Sequence, residues 1–301
     1  MKKDLLTLQD INRDDLEKIF DLSIKLKEQR GKVDFSPLAR KSIGLIFAKS
    51  STRTRVSFEV GVSELGGTPL YLDQGKMQVG RGETVADTAN VLSRYLHGIV
   101  IRTFEHAEVE ELARVAKCPV INALTNDFHP CQLLADLLTI KEYSGKVDSS
   151  VRMAFYGDGR SNMANSCILA AKLTGMELVI AAPEQEAPRA DLIGDAKNII
   201  WEADPVKAAE GVDYFYTDVW VSMGFEEERA RRMELFRPYQ VTSALFDKAK
   251  KDAKFLHCLP AHRGEEVAAD VMDDPKRSIV FDEAENRLHV QKAVMTMLMG
   301  E

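Results

Sequence analysis

Apolar residues along the chain fall into two patterns, short unbroken runs and longer segments with a helical period. Amphipathic helices separate most of the short runs, as in "RDDLEKIFDLSIKLK", which begins behind Asn12 as a cap. Such alternation of strand and helix predicts parallel sheets covered on both faces. The predicted strands are residues 42–48, 98–103, 119–124, 152–157, 177–182, 212–217 and 254–259.

The order of these elements predicts two domains. A helix from Pro130 leads into "SGKVDSS", a segment typical of a hinge, so we place the first domain at 1–145 and the second at 146–284. No strand follows the last helix, and residues 285–301 are therefore expected to pack back on the first domain. The predicted fold class is α/β, with two doubly wound domains joined by an interdomain helix.

Composition narrows the function classes. The length of 301 residues agrees with about two domains, and a net charge of -7 argues against nucleic acid or an anionic membrane as a partner. No apolar run reaches the roughly 18 residues of a membrane span, and the first residues resemble neither a signal nor a transit peptide. The four cysteines show no paired C-x-x-C spacing, which predicts a cytoplasmic protein without a disulfide framework.

One short stretch, "KSSTRTR" at 49–55, gathers cations and hydroxyls between a strand and a helix. At a helix start, free N–H groups and the helix dipole favour an anion. The hydroxyls of Ser51, Thr52 and Thr54 would add donors, and the planar guanidinium of Arg53 fits phosphate oxygens. The same residues could instead form an ordinary helix cap with arginines facing solvent.

Two further strand ends carry similar chemistry. Arg102 ends the strand 98–103, and His129 and Gln132 follow the strand 119–124. In an open α/β sheet, ligands bind outside the carboxyl ends of strands, so these residues together predict a pocket for a small dianion bearing an amide or carbonyl. Taken singly, Arg102 could be a surface cation and His129 a helix cap or a core histidine.

The predicted second domain repeats this arrangement with different side chains. An amide suits a carboxylate, whereas an acid and a hydroxyl suit ammonium groups, so the set predicts a site for an amino-acid zwitterion. The residues at or just beyond these strand ends are Asn162, Asp218, Ser222, Met223, Cys258 and Leu259.

Four motifs carry a resemblance to a known family. "SSTRTR", "HPCQLLADLLT", "DVWVSMG" and "HCLPAHRGEE" resemble the signature set of the ornithine carbamoyltransferases, in the same order and over nearly the whole chain. "STRTR" with "HPCQ" is similar to the wider superfamily that includes the aspartate enzyme, and "DVWVSMG" with "HCLP" resembles the ornithine branch. The chain departs from the family at Ala48, where many members have an acidic residue, and at Ser161, where asparagine is common. Both departures leave rate and affinity open.

The resemblance implies a reaction and an assembly. Carbamoyl phosphate and L-ornithine would give L-citrulline and phosphate, as in arginine biosynthesis, without a metal or an organic cofactor. Gln78 matches a residue that enters the neighbouring subunit's site, which implies a homotrimer. The resemblance also implies a cis Leu259–Pro260 bond, and we expect the 221–227 loop to act as a lid that is open without ligand.

The resemblance further implies a role for each motif residue. Arg102 would bridge phosphate and carbonyl, His129 would polarise the carbonyl, and Asp218 with Cys258 would orient the attacking amine; these four are the expected catalytic residues. Ornithine would be held by Asn162, Asp218, Ser222 and Met223. The carbamoyl-phosphate set would be Ser51, Thr52, Arg53, Thr54, Gln78, Arg102, His129, Gln132, Cys258, Leu259 and Arg287.

Other interpretations of these residues stay open. "GDGRSN" at 157–162 resembles a dinucleotide-binding loop, although Asn162 replaces the third glycine. Cys258 could be a hydrolase nucleophile with His257 or His262, although adjacent strand residues such as His257 and Cys258 are expected to point to opposite faces. The same three residues could bind a metal, but no ligand spacing recurs. A binding protein without turnover remains open, as do putrescine, N-acetylornithine or aspartate as acceptors.

Overall fold

A computed structural model describes residues 1–49, 51–77, 82–221 and 228–300. The chain divides into two compact units, one made of Met1–Leu138 with Glu285–Glu301 and the other of Thr139–Ala284. The chain passes from the first unit to the second within helix α5 (Pro130–Ser144) and returns within helix α12 (Val280–Met299). Among the described residues, no helix is both long and apolar enough to span a membrane.

The first unit is built on a four-stranded parallel sheet in the order β2-β1-β3-β4. Buried side chains of β1, β3 and β4 pack with those of α3 and α4, so that the core lies between sheet and helices. Besides parts of α5 and α12, its elements are α1 (Arg13–Glu28), β1 (Ser42–Phe47), α2 (Thr52–Glu64), β2 (Thr68–Asp73), α3 (Val85–Leu92), β3 (Gly98–Arg102), α4 (His106–Val115) and β4 (Val120–Leu124).

The second unit has a five-stranded parallel sheet in the order β7-β6-β5-β8-β9. Its buried core includes Ala154 of β5, Phe215 of β8 and Phe255 of β9. Its elements are β5 (Arg152–Tyr156), α6 (Asn162–Thr174), β6 (Glu177–Ala181), α7 (Ala190–Ile193), β7 (Ile199–Glu202), α8 (Pro205–Ala208), β8 (Tyr214–Thr217), α9 (Arg229–Phe236), α10 (Ser243–Phe246), β9 (Lys254–His257) and α11 (Ala269–Met272).

The structure confirms the predicted α/β class with parallel sheets. Asn12 caps α1, since its side-chain oxygen accepts the Asp15 N–H at 2.9 Å. The C-terminal helix belongs to the first unit, where the Lys292 ammonium donates to Glu64 at 2.6 Å. All seven predicted strands are present, but the sequence did not predict β2 or β7. Both are edge strands with exposed positions, so neither has the unbroken apolar run of a strand buried on two faces.

Candidate active site

In the first unit, the strand order reverses between β1 and β3. Strand β2 lies on one side of β1 and β3 on the other, and such a switch opens a crevice at the carboxyl ends of the two strands. The segment 51–54 follows β1, and Arg102 is the last residue of β3, paired with Phe47 at the end of β1. The topology therefore places both predicted groups at the crevice.

The start of α2 provides donors at this point. Ser51 is the N-cap, and its hydroxyl oxygen accepts the Thr54 N–H at 3.4 Å. Thr52, Arg53 and Thr54 form the first helical turn; Arg53 is exposed and Thr54 is buried. An exposed guanidinium beside the first N–H groups of a helix can meet an anion from solvent.

Two arginines converge on the Thr54 hydroxyl. Arg102 Nη1 donates to Thr54 Oγ1 at 3.4 Å, and Arg287 Nη2 donates to the same oxygen at 2.7 Å. Arg287 reaches this position from α12 and is only 4% exposed. Two guanidinium groups near one oxygen produce a concentrated positive charge that a dianion would neutralise.

His129 lies directly before α5 and is buried. Burial, together with the charges of Arg287 and Arg102, holds the pKa of His129 well below its usual value of 6.5. The imidazole is therefore neutral at physiological pH and can donate one N–H hydrogen bond to a carbonyl oxygen. Within the first turn of the helix, the buried Gln132 Nε2 donates to Asp136 Oδ1 at 2.8 Å.

Lys49 is a residue of this region to which the sequence analysis gave no role. It is 8% exposed, its Nζ donates to Asn126 Oδ1 at 2.7 Å, and it lies 4.2 Å from the centre of the Phe104 ring. Burial and the charge of Arg102 lower the pKa of Lys49. The signal in the sequence was its place just before the segment 51–54, which is predicted to bind an anion.

The second unit has an equivalent switch between β5 and β8. The loop after β5 leads to Asn162, the first residue of α6, which Ser161 caps by accepting the Ala164 N–H at 3.1 Å. Within this loop Gly157 has a φ of +120°, and a Cβ on Gly159 would lie 2.5 Å from the Glu186 carbonyl oxygen. Gly159 is thus required by packing within this unit, which removes one argument for a dinucleotide loop.

Asp218 follows β8 and contacts a group from the neighbouring strand end. Cys258 Sγ donates to Asp218 Oδ1 at 3.0 Å, and the Val219 N–H donates to the same oxygen at 2.7 Å. Burial raises the pKa of the Asp218 carboxyl group. Beyond Cys258 the Leu259–Pro260 peptide bond is cis, as predicted, and Leu259 has a φ of +58°.

The expected opposite orientation of His257 and Cys258 is wrong, because β9 ends at His257. A ring nitrogen of His257 lies within 4.8 Å of the Cys258 sulfur and of an Asp218 carboxylate oxygen. Nevertheless, His257 Nδ1 accepts the Leu259 N–H at 2.9 Å, which leaves the proton on Nε2, 3.2 Å from Glu266 Oε1. Both ring nitrogens are thus engaged, so His257 fits a base for Cys258 or a metal ligand poorly.

The remaining predicted residues divide into two groups. His262, once considered as a ligand beside Cys258, clusters instead with Glu265 and Glu266. Gln78, Ser222, Met223 and the rest of the expected lid at 222–227 lie outside the described residues.

Comparison with known proteins matches both units. Residues 3–142 match the carbamoyl-P binding domain model of aspartate/ornithine carbamoyltransferase, and residues 149–298 match its Asp/Orn binding domain model. An ornithine carbamoyltransferase of Oceanobacillus iheyensis is 51% identical over 99% of this chain and 95% of that protein. The one of Bacillus subtilis is 48% identical, with 99% and 94% covered.

Solved structures agree with these matches. Ornithine carbamoyltransferase from Pyrococcus furiosus superposes with a TM-score of 0.93 at 46% identity, covering 99% of this chain and 97% of that one. The Thermus thermophilus enzyme gives a TM-score of 0.91 at 41% identity, with 99% of both chains covered.

Proposed function

Because the chain belongs to the aspartate/ornithine carbamoyltransferase family, we propose that it transfers the carbamoyl group of carbamoyl phosphate to the δ-amino group of L-ornithine, giving L-citrulline and phosphate for arginine biosynthesis. The observation that carries the proposal is the convergence of Arg102 and Arg287 on Thr54 at the start of α2. This arrangement supports binding of a phosphate dianion.

The phosphate group is the proposed ligand of the first turn of α2. Ser51, Thr52 and Thr54 would supply hydroxyl and backbone donors, and Arg53 would close on the phosphate from solvent. As the C–O bond breaks, its electron pair leaves with the phosphate, which takes up the proton that the attacking nitrogen loses and departs as a dianion, so cations that already contact it stabilise the leaving group.

The carbamoyl carbonyl is the proposed partner of His129. A neutral imidazole donates a hydrogen bond to this oxygen, and Arg102 would share it with the phosphate. Attack by the amine creates a tetrahedral intermediate with negative charge on the same oxygen, so these donors would bind the transition state more strongly than the substrate. Gln132 and the backbone carbonyl of Cys258, with Leu259, would hold the carbamoyl NH2.

Ornithine is the proposed ligand of the second unit, with Asn162 facing its carboxylate and with Ser222 and Met223 completing the site. Its amine reacts only when neutral, yet a lysine-like amine has a pKa of about 10.4, which handicaps reaction at pH 7 by about 4 to 5 kcal/mol. Asp218 and Cys258 lie in contact and would orient the amine. A carboxylate with a raised pKa also accepts the amine's proton more readily than an exposed aspartate does.

Three further features belong to the proposal. Residues 1–145 with 285–301 would bind carbamoyl phosphate, and 146–284 would bind ornithine. The enzyme would work as a homotrimer in which Gln78 enters a neighbouring subunit's site. Its location would be the cytoplasm, in keeping with four cysteines that form no disulfide, all of them within the described ranges.

A parallel acceptor assay tests the reaction. Carbamoyl phosphate is supplied with ornithine, putrescine or N-acetylornithine, and both the carbamoylated product and released phosphate are measured. We expect ornithine to have the highest kcat/KM. A higher value for another acceptor would reject the ornithine assignment, and binding of carbamoyl phosphate without turnover would make the protein a binding module.

Subunit mixing tests the shared site. A Gln78→Ala chain and an Arg53→Ala chain, each inactive alone, are unfolded together and refolded as a mixture. If each site takes Arg53 from one subunit and Gln78 from its neighbour, some mixed trimers contain one site with neither substitution. Activity should therefore return. Mixtures as inactive as their parents, at the mass of three 33.7-kDa chains, would reject sharing.

A further inference from the structure

Lys49 connects three loops of the first unit. It lies in the loop after β1, and its Nζ donates to Asn126 Oδ1 in the loop after β4, at 2.7 Å. The same Nζ lies 4.2 Å from the ring centre of Phe104, in the loop after β3. These are the loops that carry or border the residues proposed to bind carbamoyl phosphate.

Further hydrogen bonds join the loops around this contact. The Asn126 N–H donates to the Phe104 carbonyl at 2.8 Å, and its Nδ2 donates to Glu105 Oε1 at 3.5 Å. The Ala48 N–H donates to the Arg102 carbonyl at 2.8 Å. Asn126 thus contacts the loop after β3 through its backbone N–H and its Nδ2, and the loop after β1 through its Oδ1.

The position of Lys49 is costly unless its charge has partners. A buried ammonium loses hydration, and Arg102 adds a like charge nearby. The amide oxygen of Asn126 and the face of Phe104 offset part of this loss. A bound dianion would offset more of it, since opposite charge nearby stabilises the ammonium.

We propose that Lys49 and Asn126 are positioning residues whose hydrogen bond holds the loops after β1, β3 and β4 in the arrangement that binds carbamoyl phosphate. The proposal rests on the proposed function, because it takes that substrate as the ligand of these loops. Asn126 does not itself touch the substrate in this proposal. It acts by holding Lys49 beside the start of α2 and by fixing the chain that leads to His129.

Single variants of Lys49 and Asn126 distinguish their hydrogen bond from what each side chain contributes alone. Asn126→Ala removes the acceptor at an exposed position, so the variant is expected to fold. Lys49→Met removes the charge but keeps the length of the side chain. Lys25→Met, at an exposed position in α1, is the matched control for loss of a lysine.

The first readout is the affinity for inorganic phosphate, measured by calorimetry on the full-length protein. A hydrogen bond to a charged group contributes enough that Asn126→Ala should weaken phosphate binding by about 10-fold or more. Lys25→Met should match the parent. Because phosphate binding needs no turnover, this result stands even if the acceptor assay rejects ornithine.

The second readout is a double-mutant cycle in KM for carbamoyl phosphate. If the residues act through their contact, the double variant Lys49→Met with Asn126→Ala should be little worse than Lys49→Met alone, and KM should rise more than kcat falls. Additive losses would overturn the proposal. Parent-like phosphate affinity in Asn126→Ala would overturn it too.

Discussion

A neutral His129 predicts a measurable change in the free energy of unfolding with pH. Burial and two arginines hold the pKa of this imidazole well below 6.5, so the folded protein does not take up a proton there at mildly acidic pH. The unfolded chain does, since an unperturbed histidine titrates at about pH 6.5. The unfolded state then binds more protons than the folded state, and the free energy of unfolding must fall as the pH falls below about 6.5.

The magnitude follows from this difference of one proton. Between about pH 6.5 and the folded-state pKa, the slope approaches about 1.4 kcal/mol per pH unit. His106 and His289 also have lowered pKa values, through burial, and contribute in the same direction. Comparison with a His129→Asn variant isolates the one residue, and the parent should lose about 1 kcal/mol more than this variant on going from about pH 6.5 to about pH 5.5. Urea unfolding at a fixed protomer concentration measures this difference.

NMR measures the same property directly. The chain has only six histidines, so imidazole carbon labelling gives six signals, and His129→Asn removes one of them. In the parent that signal should not titrate between about pH 8 and about pH 5.5. In Arg287→Met the pKa should rise, because one of the two nearby positive charges is removed. A parent signal that titrates near 6.5, or one insensitive to Arg287, would refute the reasoning.

Three further predictions concern the ligand sites proposed for the two units. Arg53→Ala should lower activity by orders of magnitude and keep the fold, because its exposed guanidinium is proposed to contact the phosphate; equal carbamoyl phosphate affinity in variant and parent by calorimetry would contradict this. Gly159→Ala should destabilise the protein by about 1 to 3 kcal/mol and raise KM for ornithine, because its Cβ would lie 2.5 Å from a backbone oxygen. Gly75→Ala is the control, because the nearest neighbour of its Cβ would be Asp73 Oδ1 at 3.3 Å. In urea unfolding and kinetics, this control should change neither stability nor KM. Carbamoyl phosphate should bind before ornithine, because a cationic amino acid is repelled by arginines that no anion has neutralised; ornithine affinity unchanged by phosphate in calorimetry would show no coupling.

Sequence patterns predicted the central strands and the two mostly buried edge strands, β4 and β9, but not the two edge strands with exposed positions, β2 and β7. A central strand of a parallel sheet is buried on both faces, so its apolar run is visible, as in β3 and β5. In β2, Pro69 pairs with Ile43 at the sheet edge, where a missing N–H is tolerated, and most of its side chains are at least partly exposed. Pro69 therefore indicates a turn in the sequence, whereas the structure has a strand there.

The residues of the candidate site also differ in how well the sequence predicts their positions. Residues at or just after a strand end, such as Arg102 and Asp218, could be placed from the sequence, because parallel strands end at one edge. The contact of Arg287 with Thr54 spans 233 positions, and only the packing of α12 in the first unit produces it. The burial of Lys49 likewise depends on two other loops, so its sequence position alone could not reveal it.

The points at which the strand order reverses have the same topology in the two units but carry side chains of opposite charge. In the first unit, a chain with a net charge of -7 collects Lys49, Arg53 and Arg102 beside the start of a helix, where dipole and side chains have the same sign. In the second unit, Asp218 stands at the equivalent strand end, and burial makes its charge more costly. A dianion lowers the free energy of the first arrangement, and an ammonium group lowers that of the second. In the proposed sites, the sheet order would thus determine where a ligand binds, whereas the charge at each strand end would determine which ligand binds there.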